Sequence, residues 1–182
     1  MRTGKHLAGF TIIELMLTLA IMATILTLAG PSFRNMIADT RLTTTTNSFI
    51  SAVTLAKSEA ISRKTTVHLS AQLGGTSTWG NGWIIWADGD GDNTPDYPGE
   101  YIRVFPPASG TVVANNSPAL QETDDDRPTV SFTPNGLRTP GGVAGNITLT
   151  ICDDRSDEVG RQIIISLIGR TSLNRTYAGC NS

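Results

Sequence analysis

The stretch that decides the fold is FTIIELMLTLAIMATILTLAG, residues 10–30, and its one charged side chain is Glu14. As an α-helix this stretch would rise about 31 Å, which matches the hydrocarbon core of a bilayer. The preceding MRTGKHLAG carries Arg2 and Lys5 and no acidic residue. Basic residues on the N-terminal flank favour keeping that end in the cytoplasm. The pattern therefore predicts a membrane helix whose following domain is exported.

Glu14 does not fit a plain membrane anchor. A charge within a bilayer costs at least a few kcal/mol, so an acid there usually has a function. A secretory signal would be cut at a small-residue site beyond the apolar run, but no such site follows residue 30. Without Glu14, a simple anchor would be the preferred interpretation. With it, we expect the carboxylate to be matched by a partner.

A basic leader ending in Gly9, then Phe-Thr-Ile-Ile-Glu-Leu and an apolar helix, resembles the class III signal of type IV pilins and type II secretion pseudopilins. The resemblance implies that a membrane aspartyl prepilin peptidase cuts after Gly9 and N-methylates Phe10. It also implies that Glu14 pairs with the terminal amine of a neighbouring subunit. The expected divisions are a leader at 1–9 and a transmembrane and filament-core helix at 10–30.

The physical chemistry of Glu14 agrees with that role. Cleavage would create a positive amine at Phe10, one helical turn from the carboxylate. A carboxylate near a helix N-terminus is also favoured by the helix dipole. Pairing the carboxylate and the amine between chains would neutralise both where water is scarce, and a subunit out of register would leave a charge unmatched.

Beyond residue 30 the apolar residues recur every three or four positions, most clearly from Phe49 to Ile61. This spacing predicts an amphipathic helix over 31–64 with one buried face. Together the two segments predict one long helix from about Thr11 to Lys64. The run Thr43 to Thr46 has four weak helix formers in succession, so we expect a weak point there.

The remainder, 65–182, has the pattern of β-strands. Alternating or continuous apolar runs are separated by clusters of Gly, Pro, Asn and Asp. The runs are TTVHLSA, GWIIWAD, EYIRVF, TVSF, NITLTI and RQIIISLI. They predict one antiparallel sheet of about six or seven strands packed on the helix. The predicted fold class is α+β, with a periplasmic β-sheet domain.

Several segments of this domain resemble the group of pseudopilin H and the minor pilins FimU and FimT. They are WGNGWIIWAD followed by an acidic loop, SFTPNG, ITLTICDD and RQIIISLIGR. The resemblance implies a low-abundance minor type IV pilin that acts in the initiation or at the tip of pilus assembly, with other minor and major pilins as partners. A type II secretion pseudopilin H is the alternative, because the two share signature and fold. The implied location is the inner membrane, then the pilus or pseudopilus.

Charge and cysteines add two constraints. The formal net charge is −2, and loss of the leader would make it −4, so nothing in the overall charge attracts nucleic acid. Cys152 and Cys180 both lie in the exported part. An even number of cysteines in an oxidising compartment favours a disulfide. Such a disulfide would contribute about 3–4 kcal/mol in the chain-entropy model.

The acidic loop DGDGDNTPDYPGE, residues 88–100, is a candidate calcium site. Its carboxylates suit a hard cation that prefers oxygen ligands, and they are Asp88, Asp90, Asp92, Asp96 and Glu100. The spacing departs from the EF-hand pattern, since Asn93 stands where the turn glycine belongs and Glu100 comes one position late. The alternative is a solvated hairpin loop that is rich in turn-forming residues.

The C-terminal segment offers a candidate DNA-binding site, so a DNA-binding minor pilin for natural transformation is the second alternative. Some FimT-type subunits bind DNA through a C-terminal Gly-Arg-x-Arg motif, and this chain has Gly169-Arg170-Thr171-Ser172, without the second arginine. Arg161, Arg170 and Arg175 could still line one exposed edge and neutralise phosphates. Acidic residues lie close to them in sequence, and scattered surface arginines are the simpler interpretation.

Catalysis has little support in the sequence. His68 is the one histidine beyond the leader, and its alternating surroundings indicate a side chain on a sheet face. No set of nucleophile, base and acid, no phosphate-binding glycine loop and no zinc spacing is recognisable. Trp83 and Trp86 fall on opposite faces of one strand, so we expect at least one to pack against the helix. We therefore predict a protein that is not an enzyme, with calcium as the one candidate ion.

Overall fold

The computed structural model describes residues 9–72, 79–92, 94–95, 99–107, 111–115, 121–122, 127–139, 145–153, 155, 160–178 and 180. For residues 28–32, 111–115 and 121–122 the description is of the backbone alone. The chain divides into two compact units, Met1–Asp39 and Thr40–Ser182. One α-helix, α1, runs Ile12–Arg63 and contributes to both.

The long helix was predicted from about Thr11 to Lys64, and the observed bounds differ by one residue at each end. Lys64 has a φ of 56°, and this left-handed backbone ends the helix. α1 is continuous through Thr43 to Thr46, where we predicted a weak point. The hydroxyl of Thr46 donates to the carbonyl oxygen of Leu42 at 2.7 Å, and both residues are buried. Tertiary packing therefore overrides the low helix propensity. Of the described helices, none is both long enough and apolar enough to cross a membrane.

Nine strands follow in the described part of the second unit, together with a short 3₁₀ helix at Trp79–Asn81. The strands are β1 Val67–Ala71, β2 Trp83–Ala87, β3 Tyr101–Phe105, β4 Thr111–Asn115, β5 Gln121–Glu122, β6 Pro128–Phe132, β7 Ile147–Asp153, β8 Gly160–Ile165 and β9 Thr171–Tyr177. They form a sheet of order β3-β2-β1-β6-β5 and a second sheet of order β4-β7-β8-β9. Every pairing between them is antiparallel.

The α+β fold class is confirmed, but the prediction of one sheet is wrong. The predicted apolar runs correspond to β1, β2, β3, β6, β7 and β8. The strands without a sequence signal are β4, β5 and β9, and each lies at the edge of a sheet. An edge strand needs no apolar residue at every second position, because less of it is buried. The sheet to which a strand belongs is set by long-range pairing, which a local pattern does not encode.

The core of the second unit lies between α1 and the two sheets. Small residues at four-residue spacing let the strands approach the helix closely, and they are Ala52, Ala56 and Ala60, all with 0% exposure. Phe49 fills the neighbouring space, with its ring edge-on to Trp79 at 5.1 Å and to Trp83 at 5.3 Å. These contacts confirm that a tryptophan of β2 packs against the helix.

Candidate assembly site

The N-terminus of α1 is built by a reciprocal cap that our sequence analysis missed. The backbone N–H and the hydroxyl of Thr11 donate to Oε2 of Glu14 at 3.3 and 3.4 Å. The backbone N–H of Glu14 donates in return to the Thr11 hydroxyl at 3.3 Å. This is a capping box, whose sequence signal is a Thr followed three residues later by a Glu. The signal was present in Thr-Ile-Ile-Glu, residues 11–14, and it explains why the helix begins at Ile12.

The first turns of α1 expose an unusual amount of apolar surface. Eleven large apolar side chains of this segment are between 52% and 87% exposed: Phe10, Ile12, Ile13, Leu15, Met16, Leu17, Leu19, Ile21, Met22, Ile25 and Leu26. They lie all round the helix rather than along one stripe. Exposed apolar surface of this kind marks contact with lipid or with another protein.

Gly9 and Phe10, at the predicted cleavage and methylation site, precede the cap. Both residues are exposed, Phe10 to 87%, and no atom lies within 4 Å of a Cβ built at Gly9. Glu14 is exposed as well. Cleavage, methylation and intermolecular pairing stay predictions for these three residues.

The acidic loop brings together three of its five predicted ligands. Asp88, Asp90 and Glu100 each offer a carboxylate oxygen, and these oxygens lie within 4.8 Å of one another. Asp92 is turned to Thr94 instead, with its oxygens accepting from the Thr94 backbone at 2.8 Å and hydroxyl at 2.7 Å. These hydrogen bonds lower the pKa of Asp92. Asp96 lies outside the described residues.

The same carboxylates also accept hydrogen bonds from the loop backbone. Glu100 Oε1 accepts from the N–H of Gly89 at 2.5 Å, and Asp88 Oδ1 accepts from that of Gly91 at 2.7 Å. The loop is therefore held in shape by its own acids. The three-carboxylate arrangement fits a hard cation chemically, and calcium binding stays a prediction.

The three arginines predicted to line one edge do not lie together. Arg161 Nη1 donates to the carbonyl oxygen of Arg175 at 2.5 Å, so these two residues are neighbours. Arg170 lies at the other end of the β8–β9 hairpin, where Ile165 pairs with Thr171. Five residues of strand separate the two ends, or about 16 Å. DNA binding by these three arginines stays a prediction.

The predicted disulfide is present between Cys152 and Cys180, with 5.7 Å between the Cα atoms. It links the end of β7 to the segment that follows β9. The C-terminal segment is thus tied to the second sheet.

The histidine on the sheet face belongs to a buried polar network that sequence analysis did not find. His68 Nδ1 lies 2.7 Å from the Ser131 hydroxyl, and its ring stacks on Trp86 at 4.2 Å. Trp86 in turn donates to Ser70 at 2.9 Å, and Ser70 lies 2.8 Å from the Thr129 hydroxyl. The residues share one face of β1, β2 and β6, opposite the helix.

Burial lowers the pKa of His68 to about 4, with a smaller opposing effect from the carboxylate of Asp88. Its Nε2 is buried and has no hydrogen-bond partner among the described residues. Ser131 and His68 are only 4% and 6% exposed, so a substrate would have no access to this hydroxyl–imidazole pair. The arrangement indicates a structural network rather than a nucleophile and its base.

A long N-terminal helix packed on antiparallel sheets, with an unpacked apolar first segment, defines a pilin-like subunit. The chain belongs to the family of the type II transport protein GspH, whose model matches residues 45–169. Membership of this family supports a pilin-like subunit that assembles with other pilins in a filament.

Two crystal structures of the type IV minor pilin FimU of Pseudomonas aeruginosa strain PAO1 have a similar fold. Each is 22% identical to this chain, with TM-scores of 0.57 and 0.54. The matches cover 75% and 73% of this chain and 90% and 92% of FimU. At this identity the likeness establishes the fold. No curated protein sequence matches the chain significantly.

Proposed function

We propose that this chain is a minor type IV pilin that is inserted in the inner membrane and then joins the filament, where it acts in the initiation or at the tip of assembly. The observation that carries the proposal is the capped, apolar first segment of α1 on a chain of this family. Eleven exposed apolar side chains need lipid before assembly and neighbouring helices after it. The β-sheet domain lies in the periplasm, and we infer no catalytic role.

In this proposal the prepilin peptidase cuts after Gly9 and methylates Phe10, and Glu14 pairs with the amine of a neighbouring subunit. The geometry of the cap supports the pairing. The contacts that Glu14 Oε2 accepts from Thr11 are long, at 3.3 and 3.4 Å, and hence weak. A hydrogen bond from a charged amine is stronger and shorter. Replacing the weak contacts from Thr11 by a hydrogen bond from the neighbour's amine therefore favours assembly.

Two substitutions separate the charge of Glu14 from its role in the cap. Glu14→Gln keeps the capping geometry, because Gln also serves at this position, but it removes the charge. Thr11→Ala removes the cap and keeps the carboxylate. We expect Glu14→Gln to be cleaved normally and to be lost from sheared filaments, while Thr11→Ala is still incorporated. Normal incorporation of Glu14→Gln would refute the pairing.

A type II secretion pseudopilin is the second candidate, and the match to the GspH family favours it specifically. Deleting the gene and measuring both surface pili in a shear fraction and the secreted protein profile separates the two. Loss of pili with secretion intact supports the minor pilin. Loss of secretion with pili intact identifies a pseudopilin and contradicts our first proposal.

A further inference from the structure

An exposed acceptor motif for N-linked glycosylation lies on β9. The sequence Asn-Arg-Thr at residues 174–176 has the form Asn-x-Ser/Thr, in which x is any residue except proline. All three residues are exposed. The motif also occurs at residues 146–148 and at residues 115–117, of which the last extends beyond the described residues. Because so short a motif also arises by chance, the surrounding structure must decide which of them can serve.

The side chain of Asn174 is held by the threonine of its own motif. The backbone N–H and the hydroxyl of Thr176 donate to Oδ1 of Asn174 at 3.1 and 3.3 Å. A backbone N–H can donate only to an acceptor, so this atom is the oxygen of the amide and not its nitrogen. Nδ2 of Asn174 is therefore turned away from Thr176, and it makes no hydrogen bond within the described part of the chain.

These two hydrogen bonds also prepare the amide nitrogen of Asn174 for reaction. An amide nitrogen is a poor nucleophile, because its lone pair is shared with the carbonyl group. Hydrogen bonds to the carbonyl oxygen draw electron density toward that oxygen, so the N–H is polarised and loses its proton more easily. The hydroxyl at the third position of the motif therefore has a chemical role that a purely apolar side chain could not fill.

The backbone of β9 presents the motif outward. Gln162 pairs with Asn174, and Gly160 pairs with residue 177. Two residues of β9, 175 and 176, thus lie opposite the single residue 161 of β8. Such a bulge interrupts the ladder and bends the strand locally. β9 is also the last strand of its sheet, so its other side pairs with no described strand and is open to an enzyme.

The motif at residues 146–148 is not presented in this way. Asn146 is exposed, but the residue after it, Ile147, is only 3% exposed. Thr148 pairs with Ile164 within the second sheet. Among the described residues, Thr148 makes no hydrogen bond to Asn146. Folding therefore distinguishes two motifs that the sequence makes equivalent.

We propose that Asn174 is the acceptor of an N-linked glycan, which is added to the folded domain at the open edge of β9. The inference rests on the proposed function, because it requires that the β-sheet domain is exported and meets a transferase there. The donor is a sugar whose anomeric carbon carries a phosphate leaving group. Nδ2 of Asn174 forms a bond to that carbon, and the bond from the carbon to the phosphate oxygen breaks. The electron pair leaves with the phosphate, and one amide proton passes to a base of the transferase.

A glycan at this position would cover the open side of β9. An unpaired edge strand is a template for pairing with another chain, and proteins commonly block such edges. A bulky, hydrophilic group on Asn174 opposes this pairing. Because Asn174 is exposed, the modification displaces no buried side chain.

The test measures the intact mass of the full chain, purified from the cells that assemble it. We expect the wild-type chain to exceed the mass of its sequence by that of a glycan, and peptide mass spectrometry to locate the addition on Asn174. Asn174→Gln and Thr176→Val should lose the addition completely. Thr176→Ser should keep it, because serine retains the hydroxyl. The matched control Asn146→Gln should also keep it.

The same samples separate this inference from the proposed function. A wild-type chain that is exported and cleaved after Gly9 but carries no glycan would overturn the inference alone. An addition that persists in Asn174→Gln or in Thr176→Val would overturn it as well. A wild-type chain that stays in the cytoplasm with residues 1–9 attached would instead refute the proposed function, and this inference with it.

Discussion

Protonation of His68 should destabilise the folded domain in mildly acidic solution. The unfolded chain binds this proton near pH 6.5, whereas burial lowers the folded pKa to about 4. The contribution of the neutral His68 to the free energy of unfolding is therefore fully present above pH 6.5. It decreases as the pH is lowered from 6.5 toward 4, and it is lost below pH 4. The shift corresponds to about 3 kcal/mol over the whole range, of which about 2 kcal/mol is lost by pH 5.

Carboxylates also titrate in this range, so the effect of His68 must be isolated by a variant. His68→Asn keeps a neutral hydrogen-bonding side chain beside Ser131 and removes the imidazole. We expect the difference in unfolding free energy between wild type and variant to shrink by about 3 kcal/mol between pH 7 and pH 4. Urea unfolding at several pH values gives this difference, and an NMR titration of the imidazole gives the folded pKa directly.

Two results would refute this reasoning. One is a His68 imidazole that titrates near pH 6.5 in the folded protein. The other is a difference between wild type and His68→Asn that does not change with pH. Asp88→Asn provides a further check, because removal of this attractive carboxylate should lower the His68 pKa further.

Two other predictions concern the acidic loop and the disulfide. If Asp88, Asp90 and Glu100 bind calcium, the ion raises the melting temperature of the protein. Asp90→Asn should then abolish this rise. The control Asp92→Asn should leave the rise in place, because Asp92 is turned to Thr94. A wild-type melting temperature that is unaffected by millimolar calcium would exclude the site. Cys180→Ser should lower the free energy of unfolding by about 3–4 kcal/mol in urea titrations. A loss below about 1 kcal/mol would show that the C-terminal segment adds little to stability.

Much of the fold was predictable because its signals are local. The apolar run at residues 10–30 and the three- and four-residue periodicity beyond it set the bounds of α1 to within one residue at each end. The apolar runs identified six of the nine strands that the structure describes, because the core-facing side of a strand must also be apolar. The capping box at Thr11 and Glu14 was equally local and was overlooked. Cleavage at Gly9, methylation of Phe10 and pairing of Glu14 stay predictions.

By itself, the sequence determined the helix, the central strands and the two cysteines available for a disulfide, because each depends on neighbouring residues or on residue counts. Only the tertiary structure decided that the strands form two sheets, that Arg170 lies apart from Arg161, and that His68 meets Ser131. Ile168 reaches Lys57 across 111 positions of the chain. Such contacts depend on how distant segments pack, and the free energy of that packing has no counterpart in a local pattern.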